Sequence, residues 1–252
     1  MSATLSYVFC LVRSARRPAL RGTTEGMPGG RDLRAVESSG GLWAIVESVS
    51  ESAYGEAALA RGLQNLDWVA ARAVAHERVI ESFLSASALL PMQLFTLFTS
   101  DERVVEYVRA ERARIVRILK RVENKVEFGV RLTWNATALQ ERASKGSVRT
   151  GTEFLARKRD ILDVNRTGVA AARKAADRAY KDIGRQALGS HRRTSLERAA
   201  PGSRLLLDAA FLVATSKSGV FKAAVRQQTR ELRGTGISIV LSGPWPAYNF
   251  IQ

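Results

Sequence analysis

The run Ile237 to Gln252, ISIVLSGPWPAYNFIQ, constrains this chain more than any other stretch. Ile237, Ile239 and Leu241 alternate with Ser238 and Ser242, the period of a strand with one buried face. Gly243 then opens a turn-like run. Pro244 and Pro246 have no amide hydrogen and a fixed φ, and each biases the residue before it, Gly243 and Trp245, toward extended backbone. The strand is therefore expected to stop at Gly243, leaving Trp245 on a stiff peg. Tyr248 and Phe250 follow at alternate positions, crowding aromatic rings into a region where chains commonly fray. Trp245, Tyr248 and Phe250 are expected to pack back against the protein and fix the tail.

Taken in order, Leu5 to Val12 reads as a strand, followed by a basic, glycine-containing loop. Leu33 to Val36 and Leu42 to Val46 flank Ser38-Ser39-Gly40-Gly41, the pattern of a hairpin, with Trp43 in its second strand. From Glu56 to Leu84 the period becomes helical. Leu66, Val69, Ala73, His76, Ile80 and Phe83 fall at steps of three and four, on one stripe. Leu89 to Phe98, opened by Pro91, reads as a short strand or extended loop. Thr99 with Glu102 fits a capping box ahead of a helix that turns Val104, Val108, Ile115, Leu119 and Val122 inward. These elements make an N-terminal α/β domain of residues 1–124, a small mixed sheet with helices.

Beyond Asn124, Phe128, Val130, Leu132 and Trp134 alternate with Glu127, Gly129, Arg131 and Thr133, a strand pattern. A long helix-compatible stretch follows, densest from Thr152 to Ala187. Ser190 to Glu197 and Leu205 to Ala214 read as strands, Val220 to Leu232 as a helix, and Ile237 to Leu241 as the last strand. The order β-α-β-β-α-β predicts a ferredoxin-like domain of residues 125–252 with an oversized first helix. The fold class expected is α+β, of the α/β-sandwich type, in two domains.

Of 252 residues, 46% are hydrophobic, enough for real cores. No run approaches the length of a membrane span, and no basic segment precedes a long apolar core near Met1, so neither a membrane anchor nor a secretion signal is expected. Cys10 is the only cysteine, which excludes an internal disulfide, and it reads as a small buried hydrophobe in a cytoplasmic chain. The net charge of +15 attracts nucleic acid, anionic membrane or an acidic protein surface without choosing among them. The long helix carries Arg157, Lys158, Arg159, Arg166, Arg173, Lys174, Arg178, Lys181 and Arg185. Interspersed aspartates read as a solvated helix face, with a surface for an acidic partner as the alternative.

Catalytic patterns are missing. His76-Glu77 begins like a zincin helix, but Ile80 stands where the second histidine ligand belongs, so His76 is expected to be held by a neighbour in a packing or interface role. Gly234-Thr235-Gly236 precedes a strand instead of following one, which a dinucleotide loop cannot do. Ser216-Lys217-Ser218-Gly219 lacks P-loop spacing, and Met27-Pro28-Gly29-Gly30 reads as a mobile turn. No serine sits in a nucleophile elbow. No catalytic residue, cofactor or metal site is expected.

The strand ending in Gly243-Pro244-Trp245-Pro246-Ala247-Tyr248-Asn249-Phe250 resembles the C-terminal ending of the gas vesicle proteins of the GvpF/GvpL family. Matching blocks run along nearly the whole chain: Tyr7-Val8-Phe9, Ala75-His76-Glu77-Arg78-Val79, Leu90-Pro91 with Phe98, and Val126-Glu127-Phe128-Gly129-Val130. Two departures stand out. Much of the family has Arg-Phe-Gly-Thr where this chain has Gln93-Leu94-Phe95-Thr96, and commonly a third proline at Ala247. The resemblance implies a non-catalytic accessory or minor structural protein, cytoplasmic and at the gas vesicle. It would bind the small hydrophobic shell protein, restrain its aggregation and assist nucleation of the wall. Other gas vesicle accessory proteins are further candidate partners. A shell subunit with a large apolar face is an aggregation hazard until assembled, and a soluble binder suppresses it without chemistry. Trp43, His76, Pro91, Phe95, Phe98, Trp245, Tyr248 and Phe250 are the structural or interface candidates, with the N-terminal half expected to carry the binding surface. The rival reading is a basic nucleic-acid-binding protein with a ferredoxin-like domain. Against it, Leu205 to Val213 carries Phe211 but no RNP-type aromatic string, so no specific nucleic acid is expected.

Overall fold

The structure is a computed structural model that describes residues 3–20, 25–135, 151–194 and 202–251, with the side chains of 151–167 outside the description. The chain divides into two compact units, Met1–Val126 with Trp245–Gln252, and Glu127–Pro244. The tail thus folds with the first unit, whereas the sequence reading carries the second domain through to 252.

In the first unit, strands β1 (Thr4–Arg13), β2 (Arg31–Ser39), β3 (Leu42–Ser50), β4 (Ala88–Pro91) and β5 (Leu97–Phe98) form one sheet. Its order is β2-β3-β1-β4, and β5 also pairs with β1. The pairings of β1 with β3, β4 and β5, and of β2 with β3, are antiparallel. The register of β1 on β3 slips between Val8 and Cys10, a bulge that reverses the phase of the strand. Tyr7 and Phe9 face one core cluster, and after the slip Cys10 and Val12 face that same cluster while Val8 and Leu11 face the other. Burial on both faces explains why Leu5 to Val12 is a continuous apolar run.

The helices on these faces are α1 (Glu51–Tyr54), α2 (Glu56–Gly62), α3 (Leu66–Glu81), α4 (Asp101–Ala110) and α5 (Arg112–Val122). The helical stretch expected from Glu56 is broken before α3, where the Asn65 side chain accepts from the Trp68 amide at 3.0 Å and so caps a new helix. Of the expected stripe, His76, Ile80 and Phe83 are buried, but Leu66 is 81% exposed, because it stands at the first turn of α3, outside the packed length. The cap of α4 is Ser100, not Thr99; its hydroxyl accepts from the Arg103 amide at 3.5 Å. Val104, Val108, Ile115, Leu119 and Val122 are all buried, as their spacing predicts.

Met27-Pro28-Gly29-Gly30 is more than a mobile turn. Met27 is buried, its amide donates to Glu47 Oε2 at 2.7 Å, and the Tyr54 hydroxyl donates to the Pro28 carbonyl at 2.8 Å. A Cβ at Gly26 or Gly30 would overlap the Glu47 carboxylate, so only glycine lets the loop close over it.

The second unit contains β6 (Lys125–Asn135), the long α6 (Gly151–Gly184), β7 (Gly189–Arg192), β8 (Ser203–Ala214), α7 (Ser218–Glu231) and β9 (Ile237–Trp245). The sheet order β7-β8-β6-β9 is the order of a ferredoxin-like sheet. Phe128, Val130, Leu132 and Trp134 are buried on one side of β6. Phe128 stacks on Phe221 at 5.1 Å, and Phe221 meets Phe211 at 5.4 Å. Helix α6 buries Ala172, Ala176, Ala179 and Ile183, while Arg173, Lys174, Arg178, Lys181 and Arg185 are exposed. Arg157, Lys158, Arg159 and Arg166 lie outside the described side chains, and the part of the expected strand beyond Thr194 lies outside the described residues.

The last strand does not stop at Gly243; β9 runs through Pro244 to Trp245. It is at the edge of its sheet, where a residue without an amide hydrogen leaves no ladder partner unsatisfied.

Candidate functional site

The first unit carries a half-open cavity of about 750 Å³. Leu11, Leu90 and Phe98 of the sheet, Ile115 and Ile118 of α5, and Ile251 of the tail give it apolar walls. His76, Glu77, Arg114 and Tyr248 bring polar atoms to it, and Pro91 to Leu94 form one side.

His76 is 5% exposed and satisfied at both nitrogens: Nδ1 lies 2.8 Å from the Tyr7 hydroxyl and Nε2 lies 3.2 Å from the Met92 carbonyl. A carbonyl only accepts, so Nε2 carries the hydrogen and Nδ1 accepts from Tyr7. The Tyr7 oxygen in turn accepts from the Phe95 amide at 3.2 Å. Burial lowers the pKa of His76, and its bond to Met92 counters only part of this, which keeps the ring neutral. A neutral imidazole with both nitrogens engaged orients the 92–95 loop; it has no lone pair left for a metal.

Glu77, one position along α3, accepts from the Tyr248 hydroxyl at 2.7 Å. Burial raises the Glu77 pKa, and the Tyr248 bond works against that rise. Burial and the Glu77 carboxylate both push the Tyr248 phenol upward, so it stays protonated and donating. Arg121 donates to the Phe250 carbonyl at 3.2 Å, Pro246 and Ala247 are buried, and Ile251 packs on the core cluster shared with α5. The tail is thereby a wall of the cavity.

The other candidates separate. Pro91 and Phe98 line the cavity, with Phe98 5.3 Å from the Tyr107 ring. Trp43 lies elsewhere, against the opposite core cluster, its Nε1 donating to the Ser14 carbonyl at 3.1 Å. Phe95 stacks on Trp68 at 5.5 Å, and Trp245 is half-buried at the end of β9. Sequence reasoning passed over Glu77, Ile118 and Ile251. Glu77 was visible beside His76, but its partner lies 171 positions away and no local pattern joins them.

In the second unit, Asp208 takes bonds from two arginines: Arg193 Nε and Nη2 on Oδ1 at 2.9 and 2.6 Å, and Arg131 Nη2 on Oδ2 at 2.8 Å. Burial pushes this carboxyl up, but the arginines outweigh it and hold it below the usual range. Gly129 makes room for the arrangement, since a Cβ there would lie 3.0 Å from Arg193 Nη2. This is a brace between strands and presents no nucleophile.

Among the described residues no three His, Cys, Asp or Glu side chains converge on a metal-sized site, and no helix is long and apolar enough to cross a membrane. Cys10 is fully buried, and its thiol is pushed well up by desolvation.

The architecture is that of an α+β protein in which a small antiparallel unit precedes a ferredoxin-like unit. The chain belongs to the gas vesicle synthesis protein GvpL/GvpF family, whose model matches residues 5–252. It is similar to gas vesicle protein L of Streptomyces sp. (strain CB03234), 27% identical over 217 residues that cover 84% of this chain and 80% of the relative. Its fold is similar to the crystal structure of GvpF from Anabaena sp. PCC7120, with a TM-score of 0.68 at 15% identity over 99% of this chain and 96% of that one. GvpF from Microcystis aeruginosa gives a TM-score of 0.64 at 14% identity, with all of both chains covered. Family membership gives the chain a role related to gas vesicles.

Proposed function

We propose that this protein is a non-catalytic accessory factor that binds the hydrophobic shell protein of the gas vesicle and assists nucleation and early growth of the wall. It works from the cytoplasm at the vesicle, together with other gas vesicle proteins. The observation that supports the reading is the cavity of the first unit, whose walls of Leu11, Leu90, Phe98, Ile115, Ile118 and Ile251 suit an apolar segment. Burying such a segment recovers about 25 cal/mol per Å² of apolar surface, which is what holding an aggregation-prone subunit in solution requires. His76 is neutral and the Glu77 carboxylate is engaged by Tyr248, which leaves Arg114 as the other charged group of the lining.

The test is retention of purified shell protein in the supernatant by the full chain and by its Ile118→Glu variant. Ile118 is half-buried and lines the cavity, so a charge there spoils the apolar wall at modest cost to the fold. Loss of retention with an unchanged melting temperature is expected. Equal retention by a folded Ile118→Glu variant would refute the assignment.

A further inference from the structure

The first unit carries a second recess, a groove of about 340 Å³ where α2 meets the start of α3, lined by Arg61, Arg72, Trp68, Asn65, Gly62 and Ser52 among others. We propose that this groove docks a carboxylate-bearing segment of a partner protein with an aliphatic face, an acidic amphipathic helix being the simplest form. The proposal does not depend on the cavity or on the shell-protein reading.

The groove wall is rigid. Trp68 lies so close over Gly62 that a Cβ there would stand 2.7 Å from three ring carbons. Phe95 stacks on the indole, with an interplanar angle of 30°, and the Arg72 guanidinium carbon stands 3.6 Å from the indole centroid and 5.2 Å from that of Tyr54. Phe95 reaches this position at φ 66°, the left-handed region that a non-glycine residue enters at a cost, and its amide is tied there by the Tyr7 hydroxyl. Phe95 also packs on the core cluster, so one strained residue, held by a part-buried hydrogen bond, ties the tryptophan to the body of the unit. Tryptophan and arginine side by side on a rigid base are the residue types that dominate protein interfaces.

The surroundings define the occupant. Leu63 and Leu66, next in the chain to the lining residues Gly62 and Asn65, are 57% and 81% exposed and add aliphatic surface. The lining contains two arginines and no carboxylate. Arg72 Nη1 donates to the Trp68 carbonyl at 3.2 Å, while its Nε is buried without a hydrogen-bond partner. Among the described residues neither Arg61 nor Arg72 forms an ion pair, and the Arg61 side chain is exposed, so a carboxylate from outside would pair with Arg61 beside the fixed charge of Arg72. A nucleic acid fits less well. Phe95, Gly62 and Arg72 already crowd the indole, which leaves no open ring face for a base, and the exposed flank is aliphatic.

The test uses the full chain and a fluorescein-labelled helical peptide of alanine and leucine with a glutamate on every turn. The same peptide with glutamine in place of glutamate is the comparison, and oligouridylate is the nucleic-acid probe. Fluorescence anisotropy is expected to show the glutamate peptide binding about tenfold or more tighter than the glutamine peptide. Arg61→Glu, at an exposed side chain that cannot disturb the core, should remove that preference, and Leu66→Ser should weaken both peptides by a similar factor. Ile118→Glu should leave peptide binding unchanged, since it alters the cavity and not the groove. Equal affinity for the two peptides, no effect of Arg61→Glu, tighter binding of oligouridylate, or loss of binding in Ile118→Glu would each overturn the proposal.

Discussion

Replacing Tyr248 by Phe removes one oxygen from the tail and tests whether the tail is anchored through α3. The hydroxyl donates to Glu77 Oε2 at 2.7 Å. A hydrogen bond to a charged acceptor is worth about 1.5–3 kcal/mol and one to a neutral acceptor about 0.5–1.5 kcal/mol. Glu77 still reaches water, so the lower ends apply, about 1.5 kcal/mol with the carboxylate ionised and about 0.5 kcal/mol with it protonated. The pH dependence has a definite sign. Glu77 has a raised pKa in the fold, because burial outweighs the Tyr248 bond, so its contribution to stability is full below the unfolded carboxyl value and is lost as pH rises through the folded value. Removing the hydroxyl raises the folded value further and deepens that loss. Thermal unfolding followed by circular dichroism should show a Tyr248→Phe deficit near pH 7 about threefold that near pH 4. In a Glu77→Gln background the deficit should be independent of pH. A deficit that is the same at both pH values, or absent near neutrality, would refute the anchoring argument and leave the tail held by its apolar contacts alone.

Phe95→Gly should be more stable than Phe95→Ala by about 1 kcal/mol, since both lose the ring but only glycine is relieved at φ 66°; urea unfolding of the two variants measures the difference. Asp208→Asn should cost about 2–3 kcal/mol near neutral pH, less than a fully buried pair because the two guanidinium groups are 34% and 30% exposed. Asp208 has a lowered pKa in the fold, so its contribution is present above the unfolded value and lost as pH falls through the folded one; the gap between Asp208→Asn and the parent should close in acid. Gly30→Ala should cost about 1–3 kcal/mol by driving a methyl group into the Glu47 carboxylate. Adding Glu47→Ala should recover part of that loss, a non-additive pair visible in a double-mutant cycle.

What the sequence by itself determined was local period and order. The alternation of Phe128, Val130, Leu132 and Trp134, the stripe from Val104 to Val122 and the hairpin around Ser38 to Gly41 each depend on neighbours within a few residues, and all are present. The β-α-β-β-α-β order then restricted the second unit to a ferredoxin-like sheet, because short connections leave few ways to interleave such strands. Tertiary structure decided everything that depends on which surface a residue meets. Pro244 continues β9 only because that strand is at an edge, and edge or centre is a property of the sheet. The bulge at Phe9 turns one apolar run to two cores, and helical period alone could not show that the packed length of α3 begins after Leu66. Tyr248 finds Glu77, and Phe95 finds Trp68, across separations at which no pattern in the chain survives. The energy that places these side chains comes from burial and hydrogen bonding between distant segments, and those terms have no value until the segments have met.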